Sequence, residues 1–329
     1  MIEVLSPGIL ASVQDLGRPG RRNLGVGSAG AMDGFALRIG NLMVGNSGEP
    51  AGVEFTLGGF KLRFHSDTIF ALTGADARAT LDGEVVPSWW VRHARAGQTL
   101  CASMAERGMR SYLTVAGGIA VPRLMESCST DLKGGFGGFH GRALKPGDRL
   151  PTGTAEVSQI GRAGFGLAAG RLGLLPQRTA PEIRFIPARE WDIHGSEIQQ
   201  RFLNSEWTLQ PNSNRMGYQL AGPELRRDKP LELLSHGILP GTIQLPPGGQ
   251  PVIQLNDANT CGGYPKLGVV IDADLSVLAQ VRLGAIIRFR AIDREAALMA
   301  MAEREAFLQR LGVRIDLARD YSIRSGRNG

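Results

Sequence analysis

Thr68-Ile69-Phe70-Ala71-Leu72 is a short run of apolar and β-branched residues, and runs of the same kind recur at Ser111-Tyr112-Leu113-Thr114-Val115, Ile183-Arg184-Phe185-Ile186, Val252-Ile253-Gln254-Leu255 and Ala285-Ile286-Ile287-Arg288-Phe289. Such residues suit a pleated surface, and each run is too brief for a typical helix. The 45 glycines and 18 prolines spread between them supply frequent turns, and short strands separated by turns are the pattern of barrels and sandwiches. The predicted fold class is mainly β with a few helices.

Three helices are expected. One begins at the N-cap Asp33 and sets Phe35, Ile39, Leu42 and Met43 on one face. A second follows a capping box, Ser196-x-x-Gln199, with Ile198 and Phe202 inward. The third starts after Asp293, carries Leu298, Met301, Leu308 and Leu311, and stops near Gly312. Between Thr152 and Pro181 periodicity fades into a Gly-, Ala-, Arg- and Pro-rich stretch. This suggests an N-terminal β-barrel-like domain over 1–155, a connecting segment over 156–182, a C-terminal barrel over 183–292, and a helix with a basic tail over 293–329. Thr56-Leu57-Gly58-Gly59-Phe60-Lys61-Leu62 faintly echoes Gln219-Leu220-Ala221-Gly222-Pro223-Glu224-Leu225, as a tandem arrangement would.

At 329 residues and 43% hydrophobic the chain can bury a substantial core. No basic stretch leads into an apolar run at Met1-Ile2-Glu3-Val4, and no segment reaches the roughly 20 apolar residues of a membrane span, so a cytoplasmic location is expected. Cys101, Cys128 and Cys261 are odd in number and far apart, and the histidines show no ligand spacing. Reduced thiols and no metal follow. The net charge of +6 suits an anionic small substrate. Its basic clusters, Arg18/Arg21/Arg22, Arg226/Arg227/Lys229 and the tail from Arg314 to Arg327, have no interleaved aromatics, which argues against nucleic acid.

Three stretches can carry chemistry. Ser12-Val13-Gln14-Asp15-Leu16-Gly17-Arg18 precedes Gly25-Val26-Gly27-Ser28-Ala29-Gly30, a literal GxGxxG. A dinucleotide site needs a buried strand feeding the first glycine, whereas Arg18-Pro19-Gly20-Arg21-Arg22-Asn23 is polar and turn-forming, so that reading is rejected. In the second stretch Lys133-Gly134-Gly135 and Arg142 frame a glycine-rich loop whose amides and cations could hold an anion, although a plain surface loop fits equally. The third, Gln254-Leu255-Asn256-Asp257-Ala258-Asn259-Thr260-Cys261-Gly262-Gly263-Tyr264-Pro265-Lys266, places polar groups directly after an apolar strand. There Asp257 can accept a proton or orient water, Asn256 and Thr260 can hydrogen-bond an amide, and Tyr264 can wall a pocket. The bland alternative is an Asx turn capping the strand. Arg215, within Ser213-Asn214-Arg215-Met216-Gly217, offers a fork for a carboxylate or phosphate.

In order along the chain, Gln14-Asp15-Leu16-Gly17-Arg18, Gly30-Ala31-Met32-Asp33, Gly45-Asn46, Leu72-Thr73-Gly74-Ala75, Val115-Ala116-Gly117-Gly118, Ser129-Thr130, Gly141-Arg142, Arg215-Met216-Gly217, Pro240-Gly241-Thr242-Ile243-Gln244, Gly262-Gly263-Tyr264-Pro265 and Leu278-Ala279-Gln280 resemble the KipA-like, allophanate hydrolase subunit 2 family of biotin-dependent carboxyltransferases. Asn214, Cys261 and Glu126 depart from its usual Asp, Thr and Gly. The resemblance implies two tandem cyclophilin-like β-barrel domains and a role in ATP-dependent 5-oxoprolinase, which opens the lactam of 5-oxoproline to L-glutamate. It implies a small KipI-like (allophanate hydrolase subunit 1) partner and a third subunit, with ATP used at the level of the complex. Asp257 and Arg215 become catalytic candidates; Gln254, Asn256, Thr260, Tyr264, Gln14, Asp15 and Arg18 become substrate-binding candidates; Lys133, Gly134, Gly135 and Arg142 become anion-binding ones. No Met-Lys-Met site is present, so no biotin is expected on this chain. Two alternatives stay open: carboxyl transfer to urea or a related amide from a biotin carrier in another chain, and a regulator that sequesters a KipI-like partner.

Overall fold

The computed structural model describes residues 1–46, 49–155, 164–175, 180–226 and 233–326. The chain divides into two compact units: unit 1 comprises Met1–Arg18, Ala29–Pro176 and Ala306–Gly329, and unit 2 comprises Pro19–Ser28 and Gln177–Glu305. Two pieces thus lie outside a linear division, the excursion at 19–28 and the end of the last helix. Residues 156–163 and 176–179 of the expected connecting segment, together with Arg227, Lys229 and Arg327 of the basic clusters, lie outside the described residues.

Unit 1 runs β1 (Ile2–Ser6), β2 (Leu10–Gln14), α1 (Gly34–Val44), β3 (Gly52–Thr56), β4 (Lys61–Phe64), β5 (Thr68–Asp76), β6 (Ala79–Leu81), β7 (Glu84–Val86), β8 (Trp90–Ala94), β9 (Thr99–Ala102), β10 (Arg107–Val115), β11 (Arg149–Leu150) and β12 (Phe165–Gly166). Among the described residues these form two six-stranded sheets, ordered β11-β1-β4-β9-β6-β7 and β12-β8-β5-β10-β3-β2. The sheets share one core in which Val4 and Leu62 of the first meet Val53, Phe70 and Leu113 of the second. On the far face of the second sheet, Ile69, Ala71 and Tyr112 pack against Leu37, Ile39 and Met43 of α1. Strand β5 is therefore covered on both sides, which is why its sequence is continuously apolar instead of alternating.

Unit 2 runs β13 (Glu182–Pro187), α2 (Ser196–Leu203), β14 (Trp207–Leu209), β15 (Gly217–Ala221), β16 (His236–Gly237), β17 (Thr242–Gln244), β18 (Val252–Gln254), β19 (Cys261–Gly262), β20 (Lys266–Val270), α3 (Asp272–Ala279), β21 (Ile286–Ala291) and the start of α4 (Arg294–Gly326). Its strands close into a barrel, β13-β20-β17-β18-β15-β14-β21, sealed by parallel pairing of β13 with β21. Phe202 of α2 stacks on Phe289 and meets Phe185 edge-on, which anchors the helix to that seam. The mainly β expectation holds. Hydrogen-bonded closure occurs in unit 2, and unit 1 encloses its core between two sheets.

The expected helices exist with changed details. Asp33 caps α1 by accepting from the amide of Ala36 at 2.9 Å. Ser196 is the first residue of α2 and makes no cap; Gly195 precedes it, and Gln199 donates instead to the carbonyl of Trp191. Helix α4 does not stop at Gly312. Burial of Leu308, Leu311 and Ile315 in unit 1 carries it across the glycine, because that packing outweighs the roughly 1 kcal/mol a helical glycine costs. Leu298 and Met301 of the same helix are 49% and 48% exposed. Helix α3 had no strong signal, since its eight residues carry few periodic apolar positions.

A Cβ added at Gly312 meets nothing within 4 Å. Gly312→Ala is expected to stabilise the protein by about 1 kcal/mol, seen as a higher denaturant midpoint at unchanged slope.

Candidate functional site

In unit 1, strand β2 delivers Gln14 and Asp15 to the segment 127–130. The Asp15 carboxylate accepts from the hydroxyls of Ser127 (2.7 Å) and Ser129 (2.5 Å) and from the amides of Gly17 (2.8 Å) and Cys128 (2.5 Å). Four acceptances fill what a carboxylate offers. Gln14 donates to Ser12 and to the carbonyl of Thr130 and accepts from the amide of Gly30. Gly30, at φ +90°, leaves no room for a side chain, since a Cβ would lie 2.8 Å from the backbone of Gly17. Arg18 donates to the carbonyl of Ser129 at 2.5 Å and stacks over Phe136. In this arrangement polar groups of Gln14, Asp15 and Arg18 fasten a loop from within. Burial and the nearby Asp15 charge push the Cys128 thiol up, which keeps it protonated and unreactive.

The glycine loop is likewise held from within. The amide of Gly134 donates to the Asp131 carboxylate at 2.7 Å and that of Gly135 to the Asp131 carbonyl at 2.9 Å. These amides are spent on an Asx turn. Arg142 forms a two-pronged pair with Asp148 at 2.7 and 2.9 Å and also donates to the carbonyl of Ala143, while Lys133 is exposed. The hydrogen bond from Arg142 holds the Asp148 carboxyl below its ordinary value of 3.8.

A second buried network secures the start of α1. Glu54 accepts from the amide of Met32 and the hydroxyl of Tyr112 and pairs with Arg110, and Tyr112 accepts from the amide of Asp33. Complete burial, with Glu54 and Asp33 close by, drives the Tyr112 phenol well above its ordinary range. It serves as a neutral hydrogen-bonding strut.

In unit 2, Arg215 and Asp257 meet each other. Nε of Arg215 donates to one carboxylate oxygen at 2.8 Å and Nη2 to the other at 3.0 Å, with the residues only 3% and 4% exposed. The amide of Asp257 also donates to the carbonyl of Arg215. Each charge neutralises the other, and the pair holds both segments in position. The pair welds 215–216 to 255–257 and fixes the exit of β18, from which Gln254 and Asn256 extend.

Beside this weld lies a polar face that the sequence reading only grazed. Gln254 of β18 donates to Oε1 of Gln244 on β17 at 2.9 Å, and Gln244 donates to the carbonyl of Tyr264 at 3.4 Å. Opposite Gln244 on β20 stands Lys266, placed there by a β-bulge: Ile243 pairs with Gly268 but Gln244 with Lys266, leaving Leu267 as the extra residue. Lys266, 7% exposed, reaches Oε1 of Glu190 at 3.3 Å, and His236 approaches the same oxygen at 3.4 Å. Strands β16 and β19 pair as a small two-stranded antiparallel sheet, and Gly262 sits so near the Gln244 amide that a Cβ would come within 2.6 Å of it. Thr260 is half-buried there; Cys261 and Tyr264 are exposed. Arg22 braces this small sheet by donating to the carbonyls of Ile238 (2.5 Å) and Asn259 (3.1 Å), and burial lowers its basicity. Of the expected residues, then, Gln254 and the Tyr264 carbonyl meet Gln244, while Thr260 lies next to β19 in the chain. The missed residues, Gln244 and Lys266, both stood inside quoted motifs; the signal that singles them out is the bulge, which appears only once the strands are paired.

Residues 24–291 match the family described as carboxyltransferase domain, subdomain A and B. The chain belongs to this carboxyltransferase-domain family. It is 44% identical to a 5-oxoprolinase subunit of Escherichia coli over 315 residues, 96% of this chain and 99% of that protein. It is 42% identical to the like-named 5-oxoprolinase subunit of Haemophilus influenzae over 94% of this chain and 97% of the relative. Among solved structures, K. lactis urea amidolyase superposes with a TM-score of 0.85 and 31% identity, over 93% of this chain but 20% of the larger one. Among the described residues, no helix is long and apolar enough to cross a membrane.

Removing one partner of the buried pair strands the other charge. Arg215→Met and Asp257→Leu are each expected to cost about 3–5 kcal/mol in urea unfolding, and the double variant less than the sum of the two. The Arg142–Asp148 pair gives a pH signature. Because the folded Asp148 carboxyl titrates below 3.8, its contribution is complete above that pH and fades as pH falls through the depressed folded value. The stability gap between wild type and Arg142→Met should be flat near neutrality and shrink in acid.

Proposed function

We propose that this chain is a subunit of a 5-oxoprolinase, a hydrolase that opens the lactam of 5-oxoproline to L-glutamate. The end-to-end match to the E. coli protein carries this reading, since it spans 96% of this chain and 99% of that protein. The urea amidolyase likeness instead concerns one-fifth of a larger polypeptide. The working enzyme includes a small KipI-like protein and a third subunit, and it acts in the cytoplasm.

A five-membered lactam is an unactivated amide whose ring carries a carboxylate. Binding it calls for an amide-matching edge and a cation. The Gln244–Gln254 pair and Lys266 supply both chemistries on one face of unit 2, held in register by the Arg215–Asp257 weld. ATP, the second substrate, enters at the level of the complex: the 134–142 loop does not fit a phosphate cradle, its Gly134 and Gly135 amides and Arg142 being committed to Asp131 and Asp148. The fold likeness to urea amidolyase supports a second reading, carboxyl transfer to an amide from biotin on another chain.

The test is reconstitution with the small and third subunits, omitting each protein in turn, with glutamate and ADP measured. Glutamate should form only when this chain is present. Full turnover without it would overturn the proposal, and biotin-dependent carboxylation of urea in its place would establish the second reading.

A further inference from the structure

We infer that Lys266 is the carboxylate anchor for the substrate and that Gln254, oriented by Gln244, receives the lactam N–H. This inference rests on the oxoprolinase reading and adds the substrate's orientation to it. An ammonium carries three donors. Among the described residues Lys266 spends one, on Glu190, at a long 3.3 Å. The buried Arg215–Asp257 pair in the same unit shows what a satisfied structural pair looks like, with two contacts at 2.8 and 3.0 Å. A cation that is 7% exposed and underspent is costly unless something else completes it. An anion on this face does so.

The bulge at Leu267 points the same way. In regular register Leu267 would oppose Gln244; the extra residue turns Leu267 into the interior, where it is fully buried, and brings Lys266 opposite the glutamine. Bulges that re-aim a side chain recur beside functional sites. The glutamine relay has a direction too. The Tyr264 carbonyl fixes Nε2 of Gln244, Oε1 of Gln244 then accepts from Nε2 of Gln254, and Oε1 of Gln254 is left as an acceptor with no protein partner among the described residues. Lys266 and Val252 stand opposite Gln244 on either side, and Gln254 is two residues from Val252, so cation and acceptor share one face. That pairing matches a ring bearing a carboxylate and an amide N–H. His236, half exposed beside Glu190, marks where the cluster meets solvent.

The experiment compares wild type, Lys266→Met and Gln254→Leu in the assembled enzyme, with separate KM values for 5-oxoproline and ATP. Losing a charge-assisted contact should raise the KM for 5-oxoproline by roughly 10- to 100-fold in Lys266→Met, with kcat reduced far less and the KM for ATP within about twofold. Lys266→Arg should recover part of the loss. An unchanged KM for 5-oxoproline, or a rise in the KM for ATP instead, would overturn the assignment, the latter placing a phosphate at the ammonium. If Lys266→Met does not fold, Gln254→Leu, at a half-buried position, decides: its KM for 5-oxoproline should rise about tenfold or more. Absence of turnover in the assembled wild type is a different failure, which ends the oxoprolinase reading itself.

Discussion

The buried fork between Arg215 and Asp257 is the contact on which the polar face of unit 2 depends. It joins the segment entering β15 to the segment leaving β18. Around it the amides of Leu255 and Asp257 donate to the carbonyls of Met216 and Arg215, so backbone and side chains close the same joint. A pair this desolvated contributes little net stability against an apolar substitute, and its value lies in geometry. With β18 fixed at its exit, Gln254 reaches diagonally across the ladder to Gln244 and the glutamine relay has one arrangement.

The polar clusters separate by how fully their hydrogen-bonding capacity is used. Asp15 accepts four hydrogen bonds, Arg142 and Asp148 hold each other two-pronged, and Asp131 takes the amides of the glycine loop. These groups are complete without a ligand and build the scaffold. Among the described residues Lys266 and Gln254 have hydrogen-bonding capacity to spare, and incomplete polar groups with little exposure are tolerated where binding finishes them. This criterion, rather than motif density, separates framework from site here.

Much of the fold was legible because it follows from local rules. The continuous apolar run at 68–72 marks a strand covered on both faces, and Asp33 marks a helix start through one side-chain acceptor. What failed were inferences needing distant partners. Gly312 looks like a stop until Leu311 and Ile315 are seen buried in unit 1, and Ser196 looks like a cap until Gly195 is found in that place. The pairing at the site was hidden in the same manner. Asp257 and Arg215 are reactive types in a polar loop, and nothing within 42 residues of chain announces that each is the other's counter-ion.

Lys266 shows the limit most clearly. In sequence it is one cation after a turn, and strict alternation along β20 would not place it opposite Gln244. Its position depends on one residue too many between Lys266 and Gly268, visible only against β17. A register shift of one residue exchanges the faces of every side chain beyond it, so the same extra residue that buries Leu267 also forces a charge onto the polar face. The barrel thereby gains a full interior and an underspent ammonium from a single irregularity, which ties the packing of unit 2 to the chemistry on its surface.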